Sequence, residues 1–180
     1  MSYKPIIIVA GEPNSVFFEI FFKSITKNYF KSPLIIIASE ELLSQQMKIL
    51  GFDLKINLIN ENYSNMNKLD NKKINIINVN YNFKEPFEKI SQKSNNYINE
   101  CFKLALRIIR KNKYLKLING PITKKSFLNG KYLGITEYLA QKTKRKNMVA
   151  MLIFNKNLSV SPITTHLALK NVHKHVTKKK

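Results

Sequence analysis

The chain has 180 residues, 44% of them hydrophobic, with 31 basic against 11 acidic side chains and a formal net charge of +20 at pH 7. That length suits one compact domain or two very small ones, and the apolar fraction is enough for a core. A single cysteine, Cys101, excludes an internal disulfide and fits a reducing compartment, and no apolar run approaches the roughly 18 residues of a membrane span.

The N-terminal stretch MSYKPIIIVAGEP is too short in its apolar part for a signal peptide, so cytoplasmic residence is expected. Its run Ile6 to Ala10 is continuous and β-branched, as in a strand buried on both faces, and Gly11-Glu12-Pro13-Asn14 breaks it. Ser15 can cap a helix to Asn28, in which Val16, Phe17, Ile20, Phe21 and Ile25 recur at helical spacing. Leu34 to Ala38 restores the strand pattern and completes a βαβ unit. A second helix starts at Ser39 with Leu42, Leu43, Met47, Ile49 and Leu50 apolar, stops at Gly51, and leads to a strand over Lys55 to Ile59.

Residues 60 to 73 are polar, aperiodic and Asn-rich, and predict a mobile surface loop. Ile74 to Val79 is the next strand. The clearest helix runs from about Gln92 to Lys111, with Tyr97, Ile98, Cys101, Phe102, Leu104, Ala105, Ile108 and Ile109 along one face. Cys101 on that face reads as an inert core thiol. Tyr114 to Ile118 predicts a short strand before Asn119-Gly120-Pro121, and Gly134-Ile135-Thr136-Glu137 opens a short helix through Lys142. Met148 to Phe154 and Leu158 to Ile163 read as two strands around Asn155-Lys156-Asn157. Thr164-Thr165-His166-Leu167 then leads into a basic helix or tail. The alternation predicts an α/β fold with a largely parallel sheet flanked by helices.

The charge is uneven: residues 1 to 90 carry a net +2 and residues 91 to 180 a net +18. Only Arg107, Arg110 and Arg145 among the basic residues are arginine, the better fork for phosphates and base edges. With Ile- and Asn-rich stretches such as NKKINIINVNYN, the bias reads as compositional drift, and nucleic acid is not expected as a partner. The alternative reading is a non-catalytic basic α/β module that holds an anionic partner such as nucleic acid, with binding that weakens steeply in salt.

In open α/β sheets ligands sit beyond the carboxyl ends of strands. Three loops there could carry chemistry: Gly11-Glu12-Pro13-Asn14-Ser15, Gly120-Pro121-Ile122-Thr123-Lys124 and Thr164-Thr165-His166. None is a Walker loop or a G-x-G-x-x-G fingerprint, and the Gly-Pro pairs can equally be plain turns. One imidazole makes no metal site, and His173 and His175, two apart, point to different faces of a helix.

In this order the segments IIIVAGEPNSVFFEI, LINGPITKKSFLNGKYLGITEYLAQKT and MVAMLIFNKNLSVSPITTHLALKNV resemble the 4-hydroxythreonine-4-phosphate dehydrogenases of pyridoxal 5'-phosphate (vitamin B6) biosynthesis. The resemblance implies an isocitrate/isopropylmalate dehydrogenase-like fold, with a first α/β domain over residues 1–125 and the beginning of a second, incomplete one over 126–180. It implies oxidation of a secondary alcohol by NAD or NADP, loss of the carboxylate as carbon dioxide, and a divalent ion (zinc, magnesium or cobalt) that polarises the hydroxyl. It places His166 at a metal-ligand position, Thr136 at a substrate-binding position and Lys124 as a contact for the phosphate of a small phosphorylated substrate. A homodimer is implied as well. Two departures stand out: Ile135 replaces a substrate-binding histidine, and Asn14-Ser15-Val16-Phe17 replaces a glycine-rich stretch. The family continues well beyond this length, so a C-terminally truncated chain with little turnover of its own is expected.

Overall fold

The computed structural model describes residues 3–114, 116–145, 149–164 and 167–176. The chain divides into two compact units, Met1–Phe127 and Leu128–Lys180.

In the first unit β1 (Ile6–Val9), β2 (Leu34–Ala38), β3 (Ile56–Leu58), β4 (Ile74–Asn78) and β5 (Leu117–Asn119) form one sheet in the order β3-β4-β2-β1-β5. Every pairing is parallel, with Ile7 opposite Ile35 on one side and Leu117 on the other. The continuous apolar runs of β1 and β2 and the isoleucines of β4 are buried because helices cover the sheet. The α/β class read from the alternation is therefore the fold observed.

Three helices pack on this sheet: α1 (Phe17–Lys27), α2 (Glu40–Ile49) and α3 (Ser94–Asn112). On α2 the Ser39 hydroxyl accepts from the Leu42 N–H at 3.3 Å, and Gly51 at φ +74° closes the helix while Phe52 N–H bonds back to Met47 O. α3 buries Tyr97, Ile98, Cys101, Phe102, Ala105 and Ile108, the face its periodicity marks, and ends at Lys113 in the left-handed region.

Several expectations are corrected. α1 begins at Phe17 rather than Ser15, whose hydroxyl instead accepts from the Phe17 N–H at 3.3 Å. Its buried face is Phe18, Phe21 and Phe22, whereas Val16 and Ile20 are exposed. The segment FFEIFF offers two apolar stripes, and the one that stacks Phe18 on Phe22 and sets Phe22 against Phe52 buries more aromatic surface. Residues 60–73 are not simply a surface loop. Met66, at the start of a 3-10 turn, is 1% exposed, and Asn71 bonds to Phe30 O, Ser32 O and the Leu34 N–H, each within 2.9 Å. Tyr114 is not in a strand: its N–H bonds to Ile109 O as part of the α3 terminus, so β5 starts only at Leu117.

The second unit contains α4 (Ile135–Lys142), a hairpin of β6 (Ile153–Phe154) and β7 (Ser159–Val160), and a 3-10 helix over Leu169–Lys174. The two longer strands expected here are each reduced to two residues, and Met148 lies outside the described residues. Ile153, Phe154, Leu158 and Val160 are exposed, and an isolated two-stranded hairpin is at best marginally stable.

Candidate functional site

β1 and β5 are neighbours although more than a hundred residues separate them, which makes their carboxyl ends the place where the strand order turns back on itself, the usual ligand position in open α/β sheets. The loops leaving them are pressed together. Gly120 N–H donates to Val9 O and Glu12 N–H donates to Pro121 O, both at 2.8 Å. Gly11 sits at φ +78°, and a side chain there would run into the Pro121 carbonyl oxygen. A side chain at Gly120 would strike the Ala10 carbonyl oxygen and the Phe17 ring. Close backbone approach is thus made by these two glycines, while residues 14–17 carry side chains.

At this junction Glu12 is only 2% exposed. Its Oε2 accepts from Ser94 Oγ at 3.0 Å, in the first turn of α3, and from Thr123 Oγ1 at 3.4 Å, in the loop after β5. Burial raises the carboxyl above its usual range, opposed by the two hydroxyls and the Asn14 backbone N–H, which favour the charged form. Glu12 Oε1, Asn14 Oδ1 and Gln46 Oε1 are buried acceptors without a protein donor, all on or beside residues 11–15, since Gln46 Nε2 donates to Pro13 O at 3.0 Å. Tyr81, against Asn14 and 3.5 Å from Glu88 Oε1, has its hydroxyl pushed up to about 12, chiefly by burial and then by the charges of Glu88 and Glu12.

Lys124 is exposed and opens a π-helical turn, Lys124–Leu128, immediately after Thr123. This turn is clasped by α3: Asn95 Nδ2 donates to Ser126 O at 3.0 Å. Thr136 is half-buried at the second position of α4, after the apolar Ile135, and belongs to the second unit. His166 lies outside the described residues, as does Thr165. Among the described residues no three His, Cys, Asp or Glu side chains gather as a metal-holding group. Cys101 is buried with its thiol pushed up to about 12, mainly by burial, which suits the inert role expected of it. The roles of Glu12, Ser94 and Asn95 are not evident from sequence. The available signal was a carboxylate flanked by Gly and Pro directly after a fully apolar strand.

A parallel sheet with its loops converging beyond β1 and β5 places the first unit among the open α/β proteins that bind ligands at strand carboxyl ends. The family model described as pyridoxal phosphate biosynthetic protein PdxA matches residues 30–180, and the chain belongs to that family. It is 30% identical over 176 residues to the 4-hydroxythreonine-4-phosphate dehydrogenase of Sulfurihydrogenibium sp. (strain YO3AOP1), covering 96% of this chain and 53% of the relative. It is also 30% identical over 174 residues to that of Wigglesworthia glossinidia brevipalpis, covering 94% and 51%. The crystal structure of the Burkholderia phymatum enzyme of that name is similar in fold, with a TM-score of 0.78 at 22% identity over 96% of this chain and 53% of that one. The Klebsiella pneumoniae structure gives 0.76 at 20% identity, covering 96% and 53%. The chain spans about half the length of the curated relatives it matches.

Proposed function

We propose that this chain serves the NAD(P)- and divalent-metal-dependent oxidation of 4-hydroxythreonine 4-phosphate, followed by decarboxylation, in pyridoxal 5'-phosphate biosynthesis. The observation that carries the reading is the family match over residues 30–180, together with curated relatives named for this dehydrogenase. The bound cofactor would take the hydride and the cation would polarise the alcohol oxygen. Lys124 offers an exposed ammonium in a loop at a strand carboxyl end, suited to a phosphate as a point charge. Thr136 offers a hydroxyl that can both donate and accept towards substrate. His166 supplies one imidazole to the metal. Catalytic zinc commonly takes three protein ligands, and the described residues bring no others together, so no metal-dependent step is assigned to residues 1–180 alone. The working enzyme is read as a cytoplasmic homodimer completed by sequence corresponding to the other half of the relatives.

The test is calorimetric binding of 4-hydroxythreonine 4-phosphate to this chain and to K124A and T136A, paired with an assay of NAD reduction. Specific binding weakened by either substitution, with no turnover by the chain alone, is the expected result. Binding indifferent to both substitutions would overturn the site assignment. Turnover by residues 1–180 alone would overturn the reading of this chain as a part of the enzyme.

A further inference from the structure

The segment carrying Lys124 has weak means of its own to hold its shape. It is a single π-helical turn, closed by Phe127 N–H to Thr123 O at 2.8 Å, and such turns persist where surrounding contacts maintain them. Those contacts come from two places. Asn95 Nδ2 holds Ser126 O, and Glu12 holds the start of the segment twice, through its backbone N–H on Pro121 O and its Oε2 on the Thr123 hydroxyl. The same Oε2 accepts from Ser94, next to Asn95, so Glu12, the first turn of α3 and residues 121–127 form a closed loop of hydrogen bonds. No lysine, arginine or histidine forms an ion pair with Glu12 among the described residues. A buried carboxyl without a cation is costly, and an apolar side chain of similar size would avoid that cost while making none of these bonds.

We propose that Glu12 is a positioning residue, whose carboxyl couples the loop after β1 to residues 121–127 and thereby sets where Lys124 stands at the carboxyl end of the sheet. Its consequence for phosphate binding rests on the reading of Lys124 given above. The link to residues 121–127 does not.

The experiment compares amide hydrogen exchange and inorganic phosphate binding in the 180-residue chain and its E12Q, E12L and T123V variants, with K124A as reference. E12Q keeps an acceptor oxygen and should stay within about twofold of the parent protein. E12L and T123V should accelerate exchange of the Phe127 amide by about tenfold, the loss of one such hydrogen bond, while amides of β1, β2 and β4 are unchanged. If E12L loosens the whole sheet, T123V decides, because it removes only the hydroxyl at the far end of the contact. Exchange at residues 122–127 that is unchanged in T123V would overturn the proposal. Where K124A weakens phosphate binding, E12L should weaken it too, and parental affinity in E12L would overturn the positioning role. Phosphate binding unaffected by K124A would instead refute the reading of Lys124 and leave the exchange data to decide on Glu12.

Discussion

Ser94 Oγ donates to Glu12 Oε2 across 3.0 Å, joining two residues 82 positions apart and tying the first turn of α3 to the loop after β1. Glu12, whose carboxyl accepts this bond, is 2% exposed, so its charge state bears directly on the stability of the folded protein.

Stability should depend on the ionisation of Glu12. Its carboxyl is raised in the folded protein above the ordinary value of 4.5, so between the two values the folded state binds more protons than the unfolded one. Its contribution is therefore most favourable below the ordinary value and is lost as pH rises through the folded value. Tyr81 and Glu88 face the same region, and the charges of Glu88 and Glu12 both raise the Tyr81 hydroxyl. Urea denaturation at a series of pH values should show this fall in the parent protein and not in E12Q. An identical pH profile for both would refute it.

The glycines separate close approach from backbone strain. G120A forces a Cβ onto the Ala10 carbonyl oxygen and the Phe17 ring, and should cost about 3 kcal/mol or more. G51A meets nothing within 4 Å and suffers only from its φ of +74°, so about 1 kcal/mol is expected. Equilibrium unfolding measures both, and equal losses would contradict the distinction.

Asn71 anchors the segment before β4. N71A leaves Phe30 O, Ser32 O and the Leu34 N–H without their partner and should cost about 2 kcal/mol, whereas N62A, on an exposed side chain, should cost under about 0.5 kcal/mol. Thermal unfolding of the two variants provides the comparison.

Cys101 should resist iodoacetamide at pH 8 while the protein is folded and react fully in guanidinium, because burial disfavours its thiolate. Rapid alkylation of the native protein, followed by mass spectrometry, would show that α3 is not packed as described.

Ile135 stands where the family resemblance places a substrate-binding histidine. If the chain binds 4-hydroxythreonine 4-phosphate as proposed above, I135H should strengthen that binding by about tenfold, the value of one added hydrogen bond to a charged group, without a matching gain for inorganic sulfate. Calorimetry with both ligands tests this.

Residues whose structure depends on near neighbours were legible in the sequence. The runs at Ile6, Leu34 and Ile74 are rich in isoleucine, and the Ser39 cap and the Gly51 stop are local backbone chemistry, so strand, helix and α/β class follow from them. The second and third of the three segments quoted for the family resemblance lie within residues 30–180, which the family model matches.

What depended on partners distant in sequence was decided only by the tertiary structure. Periodicity alone cannot choose between the two aromatic stripes of α1, and packing against Phe52 does. Met66 looks like one apolar residue in a polar loop until the fold buries it. The strand order that sets β1 beside β5 is a long-range choice, and the two pressed glycines and the buried Glu12 both follow from that adjacency. A carboxylate acquires its role from the groups that surround it in space, and those of Glu12 come from residues 94 and 123, beyond the reach of any local pattern.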